Sequence, residues 1–170
     1  LPQPGKHNAL NSTASVIACM AAGISFDNCA KGLEKFEGVD RRFQFKGEVQ
    51  NIKVFDDYGH HPTEVRAALQ GFRERLEKDR LAGFFQPHRY SRTEHCWQDF
   101  KNCFNQADLL FMADIYAAGE LPIAGISSER LLSEMNHPKA FYCPKLTDLN
   151  QTQQIIKELK AEDIFITLGA

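Results

Sequence analysis

This sequence of 170 residues has no excess charge of either sign: 20 lysines and arginines face 22 aspartates and glutamates, a net charge of −2. Without a basic face, nucleic acid is excluded as the main partner. No apolar run approaches the ~18 residues that a membrane-spanning helix needs, so no membrane insertion is expected. The opening Leu1-Pro2-Gln3-Pro4-Gly5-Lys6 has no apolar stretch of the signal-peptide kind, and a cytoplasmic protein is expected. No CxxC pair occurs among the five cysteines, Cys19, Cys29, Cys96, Cys103 and Cys143. An odd count in apolar or helical contexts implies buried free thiols in a reducing compartment, not a disulfide frame, and gives little support to a catalytic cysteine. No GxGxxG lies at a strand-to-helix turn, which disfavours a Rossmann dehydrogenase. Gly5-Lys6 is not the end of a P-loop, because neither Ser nor Thr follows the lysine and no earlier glycine has the right spacing. There is no internal repeat and no low-complexity segment.

What is present is an ordinary globular composition, 43% hydrophobic and 25% charged, enough for one good core. The sequence opens on a Pro/Gly turn and stops where a strand runs into Gly169-Ala170, so a piece of a longer polypeptide is expected. Leu10, Ala14, Ile17, Ala18 and Ala21 recur at helical spacing, predicting a helix over 7–22 with Gly23 as its C-cap. A second helix is expected from an N-cap at Asp27 to Phe36. Past Arg42 the pattern changes to alternating strands and helices, and a domain boundary is placed there, dividing the chain into 1–42 and 43–170. Strands are expected at 43–49, 52–57, 81–86, 109–113, 140–142 and 163–168. Helices are expected at 62–78, 92–104, 128–135 and 149–159. Pro62 fits the first helical position, and Ser91-x-x-Glu94 fits a capping box. The fold class that follows is α/β: a Rossmann-like, mostly parallel sheet with helices on both faces, preceded by a short helical appendage.

In such a sheet the loops past the carboxyl ends of the strands share one crevice. They would gather Asp57, Tyr58, His60, His61, His88, Arg89, Arg92, Asp114, Tyr116 and Glu120. Arg89 and Arg92, three apart at a helix start, would make a clamp for a carboxylate or phosphate, with structural ion pairs to Asp56 or Glu94 as the alternative. His60 and His61 could ligate a metal with Asp57, but adjacent histidines in a turn seldom point the same way, and no third ligand has a recognised spacing, so no metal site is expected. One of the two histidines could contact substrate or handle a proton. By strand alternation one of Asp56 and Asp57 points inward and the other to the crevice edge, where it could accept a ribose hydroxyl or serve as a turn acid. Asn8 and Asn11 share a helix face and can read a base edge or, the default, cap the helix.

Together these segments resemble the Mur ligase family. The similar stretches are Pro4-Gly5-Lys6-His7-Asn8-Ala9-Leu10-Asn11, Gly38-Val39-Asp40-Arg41-Arg42-Phe43, Asp56-Asp57-Tyr58-Gly59-His60-His61-Pro62-Thr63-Glu64-Val65, Phe85-Gln86-Pro87-His88-Arg89-Tyr90-Ser91-Arg92-Thr93, and Asp114-Ile115-Tyr116-Ala117-Ala118-Gly119-Glu120 with Pro122-Ile123. The family has a UDP-binding domain, a central P-loop ATPase domain and a C-terminal Rossmann-like domain. The resemblance covers the last helices of the second domain together with the third. It implies an ATP- and magnesium-dependent ligase of peptidoglycan synthesis that joins L-alanine to UDP-N-acetylmuramate through an acyl phosphate. It further implies that Asn8 and Asn11 meet adenine, that Arg42 and Asp57 contact the nucleotide phosphates and ribose, and that Tyr58, His60, Arg89 and Arg92 line the L-alanine site. Arg41 and Arg42 both remain candidates, with the arginine next to the strand fitting the pattern better. No catalytic residue is expected within this stretch, no cofactor is expected to bind firmly to it, and by itself it is expected to be inactive. The alternatives are a family member that recycles intact murein tripeptide, and a non-catalytic α/β nucleotide-binding module.

Overall fold

The computed structural model describes residues 5–36, 38–74, 79–145 and 147–170. Two helices lead, α1 (Lys6–Ala21) and α2 (Phe26–Glu34). Gly23 follows α1 with a φ of 90°, and the next amide, Ile24 N–H, reaches back to Cys19 O at 3.0 Å, as the C-cap reading requires. The N-cap of α2 is Ser25, whose hydroxyl accepts from Asn28 N, and not Asp27, which lies in the first turn. Neither side chain was distinguishable by type, since both are good caps. No residue of α2 is buried.

The alternation then follows as β1 (Gln44–Val49), β2 (Ile52–Asp57), α3 (Pro62–Arg73), β3 (Leu81–Phe85), α4 (Tyr90–His95), α5 (Trp97–Phe100), β4 (Leu109–Met112), α6 (Ser128–Glu134), β5 (Ala140–Tyr142), α7 (Leu149–Glu158) and β6 (Ile164–Leu168). The six strands form one sheet in the order β1-β2-β6-β3-β4-β5. Only the hairpin β1–β2 is antiparallel; the other four pairings are parallel. All of β3 and β4 is buried, as expected of central parallel strands covered on both faces.

The pleat sorts these strands between two cores. Leu81, Phe85, Leu110, Met112, Ile164, Ile166 and Leu168 face α3, α5 and α6, whose Leu69, Phe72, Trp97, Phe100 and Leu131 fill that side. Ala82, Phe84, Leu109 and Phe111 face the other side, covered by Ile155 of α7. The expected helix over 92–104 is broken at Cys96 and ends at Phe100, although Cys96, Trp97, Phe100, Cys103 and Phe104 are all buried as read. Helix α3 ends at Arg73; the rest of the stretch expected to be helical, 75–78, lies outside the described residues. Arg73 pairs with Asp108, and Arg80 with Asp163, tying the amino-terminal edge of the sheet. All five cysteines are free; Cys96, Cys103 and Cys143 are buried, whereas Cys19 and Cys29 are only half-buried.

Gly71 lets β1's entry approach α3. The Phe43 ring stacks on Phe72 at 4.5 Å, and a Cβ at Gly71 would stand 2.7 Å from its Cζ. Gly71→Ala is therefore expected to destabilise the chain by about 1–3 kcal/mol through overpacking. The measurement is urea unfolding: a lower midpoint with an unchanged slope is expected, and a midpoint at or above wild type would show that the ring gives way.

Candidate functional site

Because β2, β3, β4 and β6 are parallel, their carboxyl ends meet at one edge of the sheet. The loops there are laced together: Gln86 N–H donates to Leu168 O at 3.1 Å and Ala113 N–H to Phe85 O at 2.9 Å. Two groups of side chains form beside each other at this edge.

The first lines a cavity of about 660 Å³ between α1, α2 and the start of α3. Asn8, Asn11, Arg42 and Asp57, far apart in sequence, all border it, with Phe36 and Thr63. The N-cap of α1 is Gly5, so neither asparagine takes the N-cap position itself. The two arginines divide. Arg41 is engaged by Asp56 Oδ2 at 3.0 Å and by Gly169 O at 2.7 Å, and its guanidinium lies over the Tyr58 ring. Arg42 borders the cavity, 3.8 Å from Asp57 and 3.7 Å from Glu64.

The aspartates split as strand alternation requires. Asp56 takes Arg41 and the Thr167 hydroxyl. Asp57 is 2% exposed, and its two oxygens accept from Phe43 N at 3.1 Å and Gly59 N at 2.8 Å. Burial pushes its carboxyl above the usual range, against the pull of those two bonds and of Arg42. Its contact with the cavity is thus a buried wall, already committed to the backbone. Glu64 accepts from His60 N and His61 N and forms a capping box with His61, which is therefore the helix N-cap.

The second group is aromatic and basic. Tyr58 and His60 meet edge-on at 5.0 Å, His60 and His88 are 6.2 Å apart, and His88 stacks on Tyr116 at 5.6 Å. Arg92 Nη1 lies 3.1 Å from His88 Nδ1. Arginine can only donate, so Nδ1 must carry the lone pair and Nε2 the proton. Burial, with Arg92, Arg89 and His60 nearby, pushes His88 below its ordinary pKa and keeps that neutral form. Among the described residues neither Arg89 nor Arg92 is in an ion pair, and the structural pairing with Asp56 or Glu94 is not made.

Sequence reasoning misplaced the start of this helix. Ser91 and Glu94 do not form a capping box; α4 begins at Tyr90, and its N-cap is Arg89, at φ 72° and ψ 136°. Ser91 instead bonds to Glu120 from the loop after β4. His88 and Tyr116 were visible as crevice residues, but nothing in the sequence announced their stacking. His60 and His61 do not join a metal cluster: among the described residues no three His, Cys, Asp or Glu side chains are arranged to hold a metal ion. Among those residues, too, no helix is long and apolar enough to cross a membrane.

The sequence profile of the Mur ligase glutamate ligase domain matches residues 41–170. Over its whole length the chain is 60% identical to a UDP-N-acetylmuramate–L-alanine ligase of Bdellovibrio bacteriovorus, of which it spans 37%. It is 44% identical to the enzyme of that name from Agrobacterium fabrum, again over the whole chain and 36% of the relative. Among solved structures, the UDP-N-acetylmuramate–alanine ligase of Thermotoga maritima superposes with a TM-score of 0.74 at 29% identity, covering 98% of this chain and 35% of that one. A murein peptide ligase from Psychrobacter arcticus, 21% identical with a TM-score of 0.71 over 97% of this chain and 34% of its own, shares the fold.

Proposed function

The chain belongs to the Mur ligase family, and on that footing we propose that it is the amino-acid- and nucleotide-contacting C-terminal part of a cytoplasmic, ATP-dependent ligase that joins L-alanine to UDP-N-acetylmuramate in peptidoglycan synthesis. One observation carries the reading beyond family membership. Asn8, Asn11, Arg42 and Asp57 border a single cavity, and Tyr58, His60 and Arg92 gather beside it at the same edge of the sheet. Residues 1–42 then belong to the end of a central ATPase domain and 43–170 to the C-terminal domain. The exposure of Leu10, Ile17 and Phe26, each about 60%, supports a further partner surface for the first two helices.

In this reading Asn8 and Asn11 offer amides to adenine, and Arg42 offers the free side of its guanidinium to phosphate; the committed oxygens of Asp57 leave it mainly to hold the Arg42–Phe43 backbone. Arg89 and Arg92 hold the carboxylate of L-alanine, while Tyr58, His60 and His88 wall its small side chain. When bound, ATP supplies the phosphoryl group that activates the muramoyl carboxylate. Magnesium is proposed for the full-length enzyme; among the described residues no three His, Cys, Asp or Glu side chains are arranged to hold it.

The test is phosphate release by the full-length polypeptide that contains this chain. Turnover is expected with ATP, UDP-N-acetylmuramate and L-alanine together, and none is expected from the 170 residues alone, which carry no P-loop. Turnover with an intact murein tripeptide in place of L-alanine would transfer the chain to the recycling ligases. Nucleotide binding with no amino-acid dependence would make it a binding module.

A further inference from the structure

We infer that Glu120 is a positioning residue for the arginine pair, closing the first turn of α4 from the loop that follows β4 and so fixing where Arg89 and Arg92 point. The inference rests on the amino-acid site proposed above. Helix α4 begins without a side-chain cap of its own: its N-cap, Arg89, makes none. The orphaned donors of a helix start need an acceptor, and a carboxylate suits them best. Glu120 provides it with both oxygens, taking Ser91 N at 2.9 Å on Oε2 and the Ser91 hydroxyl at 2.6 Å on Oε1. Those bonds hold its carboxyl below the usual range, so it stays charged at any neutral working pH.

The rest of the loop is built to deliver this contact. Glu120 N–H returns to Ala117 O at 3.0 Å across Ala118 and Gly119, both at positive φ, in a tight turn. Tyr116 is bonded on both sides of His88: its N–H donates to Pro87 O and its carbonyl accepts from Arg89 N, each at 2.8 Å. Arg89 therefore keeps a backbone conformation that only glycine adopts freely because Tyr116 grips it on one side and Glu120 grips Ser91 two residues on. Both oxygens of Glu120 bond to Ser91, so the role inferred for it is exerted through α4.

The experiment is steady-state kinetics of the full-length enzyme with L-alanine and ATP varied separately, for Glu120→Ala, Glu120→Gln and Ser91→Ala. Glu120→Ala is expected to raise the KM for L-alanine about tenfold, the scale of a charge-assisted contact, and to leave the KM for ATP within about twofold. Glu120→Gln keeps one acceptor oxygen and is expected to fall between Glu120→Ala and wild type, with Ser91→Ala beside it. Should Glu120→Ala fail to fold, the other two variants decide, and wild-type L-alanine KM values in both would overturn the role. Equal loss of affinity for both substrates would overturn it too, as a general structural effect. A wild-type enzyme indifferent to L-alanine would bring down the underlying reading itself; an L-alanine-dependent wild type with an unaltered Glu120→Ala would bring down this role alone.

Discussion

Replacing Arg92 or Arg89 by lysine in the full-length enzyme is expected to raise the KM for L-alanine by about one to two decades, a loss of ~1.5–3 kcal/mol, with ATP almost unaffected. The guanidinium of Arg92 does two things at once. Nη1 is held by the His88 ring at 3.1 Å and approaches His88 O at 3.4 Å, while its remaining N–H groups are left for a carboxylate. An ammonium is a point donor without the fork and cannot keep both geometries. Arg89 is the N-cap of the same helix, three residues before Arg92, and in the proposed reading the pair shares one carboxylate. The result that sinks the assignment is a rise in the KM for ATP with that for L-alanine unmoved. His88 adds a pH signature. Its pKa lies below the ordinary value in the folded protein, so the unfolded chain takes up the proton first as pH falls. Stability is then lost on acidification below about pH 6.5, until the folded protein is protonated as well. At the acid end of that interval the folded His88 is protonated and loses the lone pair that Arg92 uses, and L-alanine affinity should fall with it.

Periodicity made the sheet readable in advance, because Leu81–Phe85 and Leu109–Met112 are short apolar runs of the length that parallel central strands require. The two strands of the edge hairpin were expected as well, but not their antiparallel pairing across Gln50-Asn51, both at positive φ. What failed were caps and helix ends. Asp27 and Ser25 are both good N-caps, and the choice between them falls to a bond of 3.4 Å from Asn28 N. Ser91-x-x-Glu94 has the spacing of a capping box, yet a carboxylate 29 residues away outcompetes Glu94 for Ser91. Spacing sees only local partners, whereas the strand-end loops of a parallel sheet bring distant ones within reach. The same limit governs the site. Residue types at 56–61 and 86–92 announced a polar crevice, but nothing local showed that Arg41 bonds to Gly169 O, 128 residues away, while Arg42 borders the cavity.

Asp57→Asn is expected to destabilise the isolated chain by about 2–4 kcal/mol, although it changes only one heavy atom. Both carboxylate oxygens accept backbone N–H groups, those of Phe43 and Gly59, in a side chain only 2% exposed. An amide has one oxygen. Whichever way it turns, its NH₂ must face an N–H, and a buried donor is left without an acceptor. The cost does not stop there. Arg41 and Phe43 both sit at positive φ, at 58° and 49°, so the segment that carries the two arginines is strained and depends on its tethers. Asp57 is the tether at Phe43, and Arg42 between them borders the cavity. Loosening it should therefore weaken nucleotide affinity in the full-length enzyme more than L-alanine affinity, the reverse of the order expected for Arg92→Lys. Urea unfolding checks the first half and separate KM values the second. An Asp57→Asn midpoint within about 0.5 kcal/mol of wild type would mean that water or a shifted Phe43 backbone satisfies the orphaned donor, and the tether would lose its assigned weight.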